Sequence, residues 1–312
     1  DEHCDNARDK IQEALENYGV DIHFITGGTL TNLTFLSHAL RPYEAVISAD
    51  TGHINTHETG AIEASGHKVL SIPCTDGKLT ADLIRPVLKQ HENEHWVEPR
   101  LVYISLPTEL GTVYTKEELE KLYQFCKRHN LYLYIDGARL AMALAVEETQ
   151  LTLKDLPDLC DAFYIGGTKN GAMFGEALIL VNDDLKDHFR FNMKQRGAIL
   201  AKGWMIGVQF EELFQDNLYL ELGKRSVALA QRLKQGFIDC KIPFLCDSPT
   251  NQLFPIFPNE FAKKINENYV TTFQCKPDEN HTCLRFCTSW ATNEQAVEDF
   301  IKDLKQWSYI YA

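Results

Sequence analysis

Lys169 stands in a glycine-rich stretch, DAFYIGGTKNGAMFGE (residues 161–176). There a short apolar run, Ala162, Phe163, Tyr164 and Ile165, gives way to Gly166, Gly167, Thr168, the lysine, Asn170 and Gly171, and apolar residues resume over 177–181. A lysine delivered from a buried strand among small residues is held where its amine loses water. Desolvation lowers the amine pKa and leaves a neutral, nucleophilic nitrogen. That is the group Schiff-base chemistry needs. The same stretch also suits a surface turn with a hydrated lysine, so the choice depends on what else the chain places beside it.

Asp136 ends the run LYLYI (131–135) and is followed by Gly137, Ala138 and Arg139. A lysine that forms an imine suits pyridoxal phosphate, whose protonated ring nitrogen is the electron sink. A buried carboxylate beside that nitrogen keeps it protonated through opposite charge, and Asp136 suits the role. Gly27, Gly28 and Thr29 follow the short run DIHFIT and open a helical pattern; a helix start of this kind receives a phosphate on free backbone N–H groups. It also suits a plain strand–helix turn capped by Thr29. His53 could stack on a flat ring. Arg139 and Arg285 could pair with a carboxylate, since guanidinium–carboxylate pairing is bidentate and specific; Arg285 equally suits a rim salt bridge. His53, His57 and Glu58 invite a metal reading, but His-Glu-x-x-His is absent and no third ligand lies nearby, so no metal site is expected.

These residues need a frame. Strands are expected at 21–26, 45–49, 68–72, 100–105, 131–135, 162–165 and 177–181, and helices at 6–17, from Thr29 onward, at 80–94, 115–129 and from Arg139 to about 148. The helix at 115–129 opens on a capping box, Thr115 with Glu118. Strands alternating with helices at this period imply right-handed βαβ units and a largely parallel sheet. Ligands of such sheets bind beyond the carboxyl ends of the strands, and Gly28, His53, Glu109, Asp136 and Lys169 all fall there. Residues 189–239 read as mainly helical. Strands at 244–245, 253–257, 270–274 and 282–288, with helices at 260–268 and 293–307, form an α+β tail. The expected division is a large α/β domain, 1–215, and a smaller C-terminal domain, 216–312.

With 312 residues, 44% of them hydrophobic, the chain can bury a large core. A formal charge of −13 excludes nucleic acid and anionic membrane as expected partners. No apolar run approaches a transmembrane length. Nine cysteines at irregular spacing, without Cys-x-x-Cys, suit free thiols in a reducing cytoplasm, and Cys283 and Cys287 read as strand residues, not ligands. The chain opens on Asp1-Glu2-His3-Cys4 without an initiator Met and is read as lacking an N-terminal segment.

The blocks GGTLTN, DTGHINTHETGAIEASGHKV, PTELGTVYT, YIDGARLA, YIGGTKNGAMFGE, MKQRGAILAKG and LRFCTSWAT run in order from residue 24 to 292. In these the chain resembles the threonine aldolases of the β-eliminating lyase family, within the fold-type I pyridoxal-phosphate enzymes. The resemblance implies a mainly parallel central sheet flanked by helices with a smaller C-terminal α+β domain, and a homodimer or homotetramer whose sites take residues from two subunits. It implies that Lys169 holds the cofactor, Asp136 meets the pyridine nitrogen, and Gly28 and Thr29 bind phosphate. It implies that His53 stacks on the ring and handles the β-hydroxyl proton, that Arg139 is the arginine of the DGAR motif, and that Arg285 lies near the substrate carboxylate. Lys194 falls where many relatives carry a phosphate-side arginine. Two departures stand out. The family's N-terminal segment carries a serine that helps bind the substrate carboxylate, and many relatives have histidine where Glu109 stands.

The activity so implied is that of a lyase: retro-aldol cleavage of a β-hydroxy-α-amino acid, L-threonine or L-allo-threonine to glycine and acetaldehyde, through a Schiff base on Lys169. His53 or Glu109 would act as base. Another fold-type I enzyme, a β-eliminating lyase or an aminotransferase, and a non-catalytic pyridoxal-phosphate-binding protein are the alternatives.

Overall fold

The computed structural model describes residues 1–311. A seven-stranded sheet is built from β1 (Asp21–Ile25), β2 (Glu44–Ala49), β3 (Val69–Ile72), β4 (Glu98–Ser105), β5 (Tyr132–Asp136), β6 (Ala162–Gly166) and β7 (Glu176–Leu180), in the spatial order β1-β7-β6-β5-β4-β2-β3. Strands β3, β2, β4, β5 and β6 pair in parallel. β7 runs against both its neighbours, β6 and β1, so the sheet is mainly parallel, as expected, and mixed at one side. The reason is chain length. A parallel return needs a crossover of a dozen or more residues, and only residues 167–175 separate β6 from β7.

The strands are apolar on both faces because both are covered. Alternate residues serve two separate cores. Ile47, Val102, Ile104, Leu133, Ile135 and Phe163 point to one side. Val46, Leu101, Tyr103, Tyr134, Ala162 and Tyr164 point to the other, against the helix Gly28–Ala39 through Phe35 and Leu36. Where β5 and β6 end, backbones close to a distance that only glycine permits: a Cβ on Gly137 would lie 1.9 Å from the Tyr164 carbonyl oxygen, and the Gly137 carbonyl accepts from the Gly166 N–H at 3.0 Å. That approach sets the separation of Asp136 from the lysine turn.

The first helix spans Glu2–Leu15, beginning earlier than the expected residue 6. The Asp1 carboxylate caps it by accepting from the Cys4 N–H, and Cys4, Ala7, Ile11 and Leu15 form its buried stripe, a periodicity that counts Cys4 as apolar. The helix after Arg139 is only Leu140–Leu144, and a short 3-10 turn, Glu147–Thr149, replaces the expected continuation to 148. The capping box of Thr115 and Glu118 is formed. Helices Phe189–Gln195, Trp204–Leu213 and Leu218–Asp239 follow. Gly223 of the last lies against Ala141 and its Gly236 against Ile301, so this one helix touches both the large sheet's cover and the helix Glu294–Tyr311.

A small antiparallel sheet follows, with β8 (Gln252–Leu253), β9 (Ile256–Pro258), β10 (Thr272–Cys275) and β11 (His281–Cys287). The strand expected at 244–245 is reduced to a single bridge, Phe244 to Pro255: the Ile256 N–H reaches the Pro243 carbonyl, but Pro243 has no N–H to return and extend the ladder. Among the described residues no helix is long and apolar enough to cross a membrane, and every cysteine is free.

Candidate active site

Strands β1, β2, β4, β5 and β6 point the same way, and β7 starts where they end. One sheet edge therefore gathers Gly28 after β1, His53 after β2, Glu109 after β4, Asp136 at the end of β5, Lys169 after β6 and Glu176 at the start of β7.

Asp136 is buried and held by three donors. Its Oδ2 accepts from the Tyr103 hydroxyl at 2.6 Å and from Asn32 Nδ2 at 3.0 Å, and its Oδ1 from the Ala138 N–H at 3.0 Å. Asn32 Nδ2 also donates to Glu58 Oε1 at 2.7 Å, and that oxygen takes the His53 Nδ1 proton at 2.8 Å. The Glu58 side chain is wholly buried, yet its Oε2 has no partner. Glu109 Oε1 accepts from Ser105 Oγ at 2.6 Å and from the His53 backbone N–H at 2.9 Å.

Electrostatics follow from this crowding. The hydrogen bond to Glu58 raises the His53 pKa, burial opposing it and Asp136 assisting. Since Nδ1 is committed to Glu58, Nε2 is the ring nitrogen left for chemistry. Burial pushes the Glu109 carboxyl up to about 6, the Asp136 charge adding to it while the Ser105 hydroxyl pulls the other way. Burial likewise pushes Glu176, whose Oε2 accepts from the Gly167 N–H at 2.9 Å, up to about 7. Lys169 opens onto the cleft, but the protein around its amine lowers its pKa, with Arg139 reinforcing and Asp136 and Glu176 opposing. The amine is thereby biased toward the neutral, nucleophilic form.

Arg139 and Arg285, with Lys169, lie close enough to His57 to depress its pKa after burial and His53 have done so. Arg285 is half-buried on β11, and its Nε is buried without a partner. The rings of His53 and His57 are stacked, 5.4 Å between centroids. The helix Gly28–Ala39 takes Gly27 as its N-cap, not Thr29; Gly27 offers no side-chain acceptor and the first turn holds no acid, so the helix start is free for an anion. Lys194 is exposed on the helix Phe189–Gln195 and makes no hydrogen bond or ion pair with these groups; Arg196, two residues on, has a buried Nε without a partner.

Each part of pyridoxal phosphate has a complement here: an uncapped helix start for the phosphate, an amine of lowered pKa for the aldehyde, and a buried carboxylate for the ring nitrogen. The unpartnered Arg285 Nε suits a carboxylate ligand. Sequence reading missed Asn32, Tyr103, Ser105, Tyr134 and Glu176 and met Glu58 only as a metal candidate. Their traces were an amide in GGTLTN, a lone acid opening the apolar run EALIL, and tyrosines on buried strands. Among the described residues no group of three His, Cys, Asp or Glu side chains is placed to hold a metal.

Comparison with known proteins adds four likenesses. Residues 1–257 match the β-eliminating lyase family. The chain is 31% identical over 311 residues to a low specificity L-threonine aldolase of a Pseudomonas species, covering 96% of this chain and 86% of that protein. It is 51% identical to a solved threonine aldolase of Leishmania major, with a TM-score of 0.97 over 98% of this chain and 90% of that one. An aminotransferase of Staphylococcus aureus shares the fold alone, with 12% identity and a TM-score of 0.72 over 100% of this chain and 85% of that one.

Proposed function

The chain belongs to the β-eliminating lyase family, and on that premise we propose that it is a pyridoxal-phosphate-dependent lyase that cleaves β-hydroxy-α-amino acids, L-threonine or L-allo-threonine, to glycine and acetaldehyde. The observation that carries the reading is the meeting, at one sheet edge, of the Lys169 amine, the buried Asp136 carboxylate and the uncapped helix start at Gly27, Gly28 and Thr29.

Pyridoxal phosphate, when bound, supplies an electrophilic aldehyde carbon and a cationic ring that takes up the electron pair released as the Cα–Cβ bond breaks. The protein's own groups do the rest. Lys169 offers the amine that holds the cofactor. The Asp136 carboxylate, fixed by Tyr103, Asn32 and the Ala138 N–H, keeps a proton on the ring nitrogen. The N–H groups at the start of the helix Gly28–Ala39 take the phosphate. Arg139 and Arg285 bind the amino acid's carboxylate and orient its Cα–Cβ bond. His53, through Nε2, or Glu109, through its carboxylate, takes the β-hydroxyl proton; a positioned base contributes about 10²–10⁴-fold. Lys194 belongs to the phosphate side in this reading, by its place in the MKQRG block.

The apolar surface beside the lysine turn, where Met173, Val208 and Trp290 are exposed around a shared hollow, supports a homodimer or a tetramer of dimers. A cytoplasmic location fits the nine free thiols, and the division at 215/216 falls just ahead of the helix Leu218–Asp239. The test is aldehyde release from a panel of β-hydroxy amino acids. Acetaldehyde from threonine or allo-threonine is the expected product; pyruvate or amino-group transfer to an oxo acid in its place would overturn the reading.

A further inference from the structure

Asn32 is fully buried and sits between two buried carboxylates, donating one N–H to Glu58 Oε1 at 2.7 Å and the other to Asp136 Oδ2 at 3.0 Å. Its Oδ1 accepts from the Tyr134 hydroxyl at 3.0 Å. A flipped amide would turn its oxygen toward both acids and its N–H groups toward the tyrosine, so the tyrosine and the carboxylates together allow one orientation. The chain of contacts runs on at both ends, from Glu58 to the His53 ring and from Asp136 to Tyr103.

We propose that Asn32 is a positioning residue for the reaction: its amide pins the two carboxylates side by side, so that Glu58 retains the His53 ring while Asp136 stays available to the cofactor's ring nitrogen. This rests on the function proposed above. Without the two N–H groups, two acceptors face each other with no donor between them and move apart. Asp136 keeps two other donors. Glu58 keeps only His53, and its Oε2 is already unpartnered, so Glu58 is the side chain that shifts. A Glu58 turned from the ring no longer stabilises an imidazolium, and His53 then gives up its proton at lower pH. The other groups facing His53 are His57 and Lys169, which disfavour its charge, and Asp136 and Glu109, which favour it. None of them hydrogen-bonds the ring, so the Glu58 contact is the one whose loss is felt.

The test uses Asn32→Ala and Tyr134→Phe; the second removes only the hydroxyl that fixes the amide. In the cofactor-free proteins, NMR titration of the His53 imidazole is expected to show its pKa lowered by about one unit in Asn32→Ala, a tenfold change in the proton affinity of the ring, and by less in Tyr134→Phe. In the holoenzymes cofactor absorbance is retained, and with His53 as the base the acid limb of the kcat/KM profile moves to lower pH by the same amount. Unchanged His53 titration in both variants overturns the proposal, and if Asn32→Ala does not fold, Tyr134→Phe decides alone. Wild-type protein that releases no aldehyde would instead refute the function proposed above and leave the NMR result standing.

Discussion

Replacing Glu109 with Gln separates the energetic burden of a buried acid from its use. The carboxyl is held at about 6 against an ordinary 4.5, chiefly by burial. A raised folded-state pKa means that the folded protein binds this proton more tightly than the unfolded chain. The associated stability is therefore present at low pH and is lost as pH rises through about 6. Carried through the linkage relation, the ionised carboxylate costs the cofactor-free fold about 2 kcal/mol at pH 8 and about 0.8 kcal/mol at pH 5. Glutamine keeps an Oε1 that can accept from Ser105 Oγ and from the His53 N–H, so little packing is disturbed. Glu109→Gln should raise the melting temperature of the cofactor-free protein by about 4 °C at pH 8 and by about 1–2 °C at pH 5. In the holoenzyme the same change should lower kcat/KM by about 10²–10⁴-fold if Glu109 takes the β-hydroxyl proton. Differential scanning calorimetry at the two pH values and acetaldehyde release read the two effects. An equal thermal shift at both pH values would refute the burial argument. An undiminished rate would leave His53 as the sole base.

Three further outcomes follow from the same geometry. Borohydride reduction of the holoenzyme should fix the cofactor's mass on the peptide carrying Lys169 and on no peptide of Lys169→Ala; a labelled peptide in the variant would move the amine elsewhere. Asp136→Asn keeps one oxygen, which can accept from the Ala138 N–H or from Tyr103 but not from both, and it cannot hold the ring nitrogen cationic, so turnover should fall at least about a hundredfold; a wild-type rate would remove Asp136 from that role. Gly137→Ala drives a Cβ to 1.9 Å from the Tyr164 carbonyl oxygen and should destabilise the protein by roughly 2–4 kcal/mol in urea titration; an unchanged midpoint would show that β5 and β6 can part without cost.

The division between what could be read from the chain and what could not follows the range of the forces involved. Strand after strand was visible because burial on both faces leaves unbroken apolar runs, and the edge where Gly28, His53, Glu109, Asp136 and Lys169 gather follows from strand direction alone. The mainly parallel order was legible, but which strand reverses was not: the short span of residues 167–175 pointed to β7, while apolar content carries no direction. The small sheet was blurred for a related reason: β8, β9 and β10 are only two to four residues long, and Pro243 and Pro255 withhold N–H groups beside them. What stayed hidden was the layer beneath the edge. Tyr103 and Tyr134 are register partners on β4 and β5, and Tyr164 lies on the same face of β6 two residues beyond the partner of Tyr134, with neighbouring ring centroids 6.0 and 6.5 Å apart. On their strands they look like core aromatics, and their burial does contribute core packing. Their hydroxyls, however, reach Asp136, Asn32 and the start of the helix Gly28–Ala39; the last lies 3.0 Å from where a side chain on Gly28 would begin. Gly28 is thus constrained from below by Tyr164. The tyrosine row makes the floor of the site part of the core, so that the packing which holds the sheet together also fixes the polar groups at its edge.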